Sequence, residues 1–126
     1  GRFLVAPGST SELLQRAEAA RLPILPGAQT LSEVMALRSA GYRFLKFFPA
    51  NLLGGAALLR AVSSVVSDVA FCPTGGLTMD NAMDYLDLPN VRAIGGSWIA
   101  PRDDIAAGNW SAIAVRADAA SRALNT

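Results

Sequence analysis

No histidine occurs anywhere in the sequence, and there is a single cysteine, Cys72. The first absence excludes His-based catalytic triads and His metal sites; the second excludes an intrachain disulfide framework. Together they lead to the expectation of no metal and no cofactor, and a lone thiol favours a cytoplasmic setting. No apolar stretch approaches the roughly 20 residues of a membrane span, and no signal-peptide pattern opens the sequence. Basic runs are also lacking: the arginines are scattered and the formal net charge is +1. Nucleic acid and anionic membrane are therefore not expected partners. Lysine is the scarcest charge of all, with Lys46 alone against ten arginines.

What remains is 52% hydrophobic and 17% charged over 126 residues, a composition suited to one globular core. Five apolar, β-prone segments recur about twenty residues apart, at 2–8, 22–27, 42–50, 68–76 and 91–98, with helical patterns between them. Ser9 with Glu12, and Thr30 with Glu33, have capping-box spacing and open helices. In the second, Leu31, Val34 and Met35 fall on one face and Gly41 supplies a stop. Residues 55–66 and 79–86 read as further helices, the latter capped by Thr78, and 110–124 as a long alanine-rich one. The strands are continuous apolar runs rather than alternating ones, which predicts a parallel sheet buried on both faces. Almost every strand ends in Pro or Gly followed by small residues ("APGS", "LPGA", "FPAN", "CPTGG", "IGGS"). That repetition predicts α/β units with their loops gathered at the C-terminal ends of the strands, as in a (β/α)8 barrel. A complete barrel needs eight strands, so residues 1–126 are expected to form a single domain holding about five of the eight units, the C-terminal part, with the N-terminal strands absent.

Lys46 sits inside "RFLKFFPAN" (43–51). Burying an unpaired ammonium costs several kcal/mol, so an inward lysine tends to find a carboxylate or to shed its proton. A neutral lysine can attack a ketone and form a Schiff base, which arginine cannot. The other reading is a lysine that snorkels to a barrel rim. "PTGG" (73–76) and "IGGSW" (94–98) follow the last two strands, where glycines let backbone N–H groups reach an anion. Either glycine pair alone is more often a turn, and Gly54 and Gly55 fit a hinge or a helix entry. Cys72 reads as a small buried residue, Trp98 and Trp110 as packing residues, and Asp80, Asp84 and Asp87 as solvated. Asp103 and Asp104 suit a first helical turn. "NWS" (109–111) matches a glycosylation acceptor, with nothing to suggest secretion.

"FLKFFPA", "FCPTGG" and "IGGSW", in that order, resemble the 2-keto-3-deoxy-6-phosphogluconate (KDPG) aldolase family, which includes 4-hydroxy-2-oxoglutarate aldolase activity. Lys46 to Thr74 is 28 residues and Thr74 to Ser97 is 23, spacings that match the family. The resemblance implies a class I, metal-independent aldolase on a (β/α)8 barrel, a cytoplasmic homotrimer when full length, cleaving a phosphorylated keto-sugar acid to pyruvate and glyceraldehyde 3-phosphate. It implies Lys46 as the Schiff-base nucleophile, with Pro7 and Phe48 lining the pyruvyl pocket and Thr74 beside the carboxylate and hydroxyl end. Gly75, Gly76, Gly96 and Ser97 would bind the phosphate. The family's acid/base glutamate, and the arginine and threonine that grip the carboxylate, belong to earlier strands and have no counterpart here. Glu12, Glu18 and Glu33 fall on outer helices. The implied alternatives are an aldolase for a non-phosphorylated 4-hydroxy-2-oxo acid or a stereoisomeric sugar acid, and a non-catalytic fragment that binds a phosphorylated ligand.

Overall fold

The computed structural model describes residues 1–124. Five short strands lie side by side: β1 (Leu4–Val5), β2 (Ile24–Leu25), β3 (Gly27–Ala28), β4 (Phe44–Phe47) and β5 (Ala70–Pro73). β1 pairs with β2, β3 with β4 and β4 with β5, all parallel. Helices fill the connections: α1 (Ser11–Ala19), α2 (Leu31–Ser39), α3 (Gly55–Val65), α4 (Ala82–Leu86), α5 (Arg102–Ala106) and α6 (Trp110–Leu124). A strand–helix alternation with neighbouring parallel strands needs a helical crossover at each step, and the sequence supplies one.

The expected strand at 22–27 is divided into β2 and β3 by Pro26, which has no N–H to donate to a ladder. Its carbonyl still accepts from the Lys46 N–H at 2.9 Å, so the register runs through. The expected strand at 91–98 is reduced to two parallel bridges, Phe71 with Val91 and Thr74 with Gly95. Gly95 and Gly96 bring no side chains to a pleated surface, and glycine disfavours a continuous strand.

Helix starts follow capping chemistry, with two corrections. Thr30 and Glu33 form the expected capping box, the Thr30 hydroxyl accepting from the Glu33 N–H and the Glu33 carboxylate from that of Thr30. The carboxylate also accepts from the Gln29 N–H, and these bonds, Gln29 first, hold its pKa below the usual value. Thr10, not Ser9, caps α1 by accepting from the Leu13 N–H, because the Ser9 hydroxyl donates to the Gly27 carbonyl instead. Asn81, not Thr78, occupies the cap position of α4, its side chain accepting from the Thr78 N–H. Gly41, at φ 97°, ends α2 as expected.

The core lies on one face of the sheet. Leu45 and Phe47 of β4 and Phe71 of β5 pack there against Val34 and Leu37 of α2, Leu59 and Val62 of α3, and Tyr85 of α4. The Phe47 and Phe71 rings meet edge-to-face with centroids 6.0 Å apart. Each such side chain contributes about 1.5–3 kcal/mol by leaving water. The other face is open among the described residues: Val5 and Phe44 are 50% and 41% exposed. Burial thus alternates along β4 and β5, contrary to the expectation of two covered faces. Trp110, expected to pack, is 64% exposed at the start of α6.

Candidate active site

Strand register decides what shares the open face. Gly27 pairs with Lys46 and Lys46 with Cys72, and register partners in a pleated sheet point the same way. Lys46 is therefore at the centre of a row whose neighbour on one side has no side chain and on the other carries a thiol. Lys46 is half-buried, between the fully buried Leu45 and Phe47. Its Nζ lies 5.0 Å from the centroid of the Phe48 ring, a cation–π distance. Among the described residues no carboxylate lies within ion-pair reach of it. Burial pushes the Cys72 thiol up from its ordinary pKa, opposed by the positive charge of Lys46.

At the C-terminal end of this row is a cavity of about 350 Å³, lined by Lys46, Phe48, Thr74, Gly75, Gly76, Gly95, Gly96 and Ser97. Seven of these residues were expected at the site from the sequence, and they converge from three separate segments. Gly95 is the addition; the same Gly-Gly pair signalled it. Pro7 does not line the cavity. It stands beyond the end of β1 with its carbonyl packed against Gly27, the register partner of Lys46.

Lys46 is the sole charged group in the lining. The rest of the polarity is backbone and the hydroxyls of Thr74 and Ser97. Ala50 and Asn51 N–H groups donate to the carbonyls of Thr74 and Gly75 at 2.8 and 3.1 Å, and the Asn81 side-chain amide donates to that of Gly76 at 3.1 Å. These bonds tie three successive carbonyls to the surrounding chain. The N–H groups of Gly76, Gly96 and Ser97, by contrast, donate to no carbonyl among the described residues, whereas that of Gly75 faces Gly95 across the Thr74–Gly95 bridge. Gly75 and Gly76 have φ of 93° and 75°, a conformation that side-chain-bearing residues adopt only with strain. The Thr74 hydroxyl is buried and without a partner, and its methyl group packs on Gly95, where a Cβ would meet it at 2.6 Å. The Trp98 indole likewise occupies the space of a Gly96 side chain.

The donors here are loop amides rather than a helix terminus, because α4 begins only at Ala82 and α5 at Arg102. A cation beside three unpaired amides suits an anionic substrate. A larger cavity of about 450 Å³ lies at the opposite, N-terminal ends of the strands, lined by Arg43, Asp68, Asn90 and Arg92 among others. There Asp68 is held by both Arg38 and Arg43, so much of its charge is already paired. No group of three or more His, Cys, Asp or Glu side chains is arranged to hold a metal among the described residues, and no helix is long and apolar enough to cross a membrane.

Comparison with known families places this arrangement. Residues 1–115 match the family model described as KDPG and KHG aldolase. The chain belongs to that family. It is 44% identical over 111 residues to the 2-dehydro-3-deoxy-phosphogluconate aldolase of Pseudoalteromonas atlantica, covering 88% of this chain and 52% of the relative. It is 43% identical over 112 residues to the KHG/KDPG aldolase of Escherichia coli, covering 89% and 53%. The chain thus spans about half the length of the curated relatives it matches. Its structure overlays on KDPG aldolase from Legionella pneumophila, solved with pyruvate captured as a covalent carbinolamine, with a TM-score of 0.86 and 45% identity over 92% of this chain and 56% of that one. The Zymomonas mobilis enzyme with 3-phosphoglycerate gives 0.76 and 40% over 80% and 48%. The α/β fold is therefore of the barrel type those aldolases share.

Proposed function

We propose that the protein carrying this chain is a class I aldolase that cleaves 2-keto-3-deoxy-6-phosphogluconate to pyruvate and glyceraldehyde 3-phosphate, with Lys46 as nucleophile. The observation that carries this reading is one cavity in which the lone lysine faces unpaired backbone amides. The pyruvate carbinolamine in the Legionella relative supports the covalent step, and the 3-phosphoglycerate in the Zymomonas relative supports a phosphorylated ligand.

The neutral amine of Lys46 attacks C2 of the keto acid, giving a carbinolamine that loses water to an imine. The imine accepts the electron pair of the breaking C3–C4 bond as the C4 hydroxyl loses its proton, releasing the aldehyde. Protonation of the resulting enamine at C3 and hydrolysis of the imine return pyruvate and the free lysine. Arginine at position 46 would be a poor nucleophile held in its charged form. Phe48 packs beside the amine and shields one side of the imine from water. Thr74, with its unpartnered hydroxyl, is positioned for the carboxylate or hydroxyl end, and Gly75, Gly76, Gly96 and Ser97 hold the phosphate, the N–H groups of the last three donating to it. Pro7 stands behind Gly27, the register partner of Lys46, outside the cavity. The residues lining the cavity include no carboxylate or imidazole, so the proton of the C4 hydroxyl goes to a base elsewhere in the active site. The five strands are read as staves of a (β/α)8 barrel, and a lone unpaired cysteine supports a cytoplasmic enzyme.

Incubation with pyruvate followed by borohydride should add the mass of reduced pyruvate to Lys46, located by peptide mass spectrometry. An active enzyme in which Lys46 stays unmodified would overturn the nucleophile.

A further inference from the structure

Backbone amides bind an anion well only if the loops carrying them are held still, and in one of those loops Gly75 and Gly76, consecutive glycines at positive φ, do not hold themselves. We propose that Asn51 is a positioning residue for the phosphate end of the site, linking the Gly75–Gly76 loop to the core through Tyr85. This role rests on the phosphate reading given above.

Asn51 meets the loop twice. Its N–H donates to the Gly75 carbonyl at 3.1 Å. Its Cβ then lies 2.8 Å from where a Gly76 Cβ would be, so the glycine backbone rests directly on the asparagine stem. On its other side the Asn51 amide oxygen accepts from the Tyr85 hydroxyl at 3.4 Å. Tyr85 is 2% exposed and belongs to the core. The connection therefore runs from core to phenol, from phenol to the Asn51 side-chain amide, and from the Asn51 backbone N–H and Cβ to the glycine loop. Asn51 itself is exposed and does not line the cavity, so it acts through Gly75 and Gly76 rather than on substrate. Burial, with the Asp84 charge nearby, pushes the Tyr85 hydroxyl up from its ordinary pKa.

The test compares a phosphorylated substrate, 2-keto-3-deoxy-6-phosphogluconate, with a non-phosphorylated one, 4-hydroxy-2-oxoglutarate, in the complete enzyme. Asn51→Ala and Tyr85→Phe should each raise KM for the phosphorylated substrate about 5–10-fold, the worth of one net hydrogen bond, with kcat within about twofold. KM for the other substrate should not move. The double variant should be no worse than Asn51→Ala alone, because both changes sever one connection. Equal losses on both substrates, an additive double variant or an unchanged KM would each overturn the role. Tyr85→Phe keeps the ring in the core, so it reports even if Asn51→Ala folds poorly. A wild-type enzyme with no preference for the phosphate ester would sink the phosphate reading and this role together. A preference that both variants retain would sink the role alone.

Discussion

Along β4, Leu45 and Phe47 are 0% and 1% exposed, while Phe44 is 41% exposed and Lys46 half-buried. On β5 the fully buried Phe71 is followed by the half-buried Cys72. Neighbouring residues of one strand thus belong to two different environments. One is packed by helices to the density of a core, where a lost methylene is felt. The other is sparsely packed and holds the lone lysine, the thiol and the glycine-lined cavity. The division places the groups that hold the fold on one face of the sheet and the groups proposed for the chemistry on the other, a residue apart.

Two comparisons can break that contrast, and a third probes a corner outside it. The largest expected effect is on turnover: Lys46→Met should lower kcat by at least about 10⁴-fold, as removal of a covalent nucleophile does. Its urea midpoint should correspond to less than about 0.5 kcal/mol of change, since Lys46 forms no ion pair among the described residues. A large loss of stability in this variant would place Lys46 with the core after all.

Next comes a matched pair on the two faces. Phe71→Ala should destabilise by about 3–5 kcal/mol in urea unfolding, the range for emptying a buried aromatic site. Phe44→Ala, on the open face of the adjacent strand, should cost well under half of that. Similar losses would mean that the open face is packed in solution and that the asymmetry is not real.

The smallest effect concerns a corner outside both faces. Asp104 of α5 accepts from the Asn109 side-chain amide and pairs with Arg116 of α6, and Asn109 first, then Arg116, hold its carboxyl below the usual pKa. A depressed folded pKa stabilises above the unfolded carboxylate value and is lost as pH falls through the folded one. The α5–α6 corner should therefore be indifferent between pH 5 and 7 and loosen only below about pH 4. Emission from Trp110, at the start of α6, should report this, and Asp104→Asn should flatten the response. A change centred near neutral pH would refute the assignment.

Some of this was readable in advance. The alternation of apolar runs and capped helices predicted parallel β-α units, and the motif order around Lys46, Thr74 and Ser97 predicted most of the residues that now line one cavity. Thr30 with Glu33 could be read correctly because that box closes within four residues. Ser9 could not, because its hydroxyl donates to Gly27, 18 positions away. Asn51 gave no signal either: its role depends on Gly76 and Tyr85, which only folding brings beside it.

The sequence by itself determined which groups are available: no imidazole, one amine able to form an imine, and glycines where side chains would block backbone amides. It also determined that strands and helices alternate, since hydrophobic pattern and capping are local. The tertiary structure alone decided which face of the strands is covered. An unbroken apolar run offers both faces equally, and the choice falls to helices packed from elsewhere in the chain. Strand register then put Lys46 between Gly27 and Cys72, and the loop bonds left the amides of Gly76, Gly96 and Ser97 free, because hydrogen-bond partners distant in sequence are chosen only when the chain has closed.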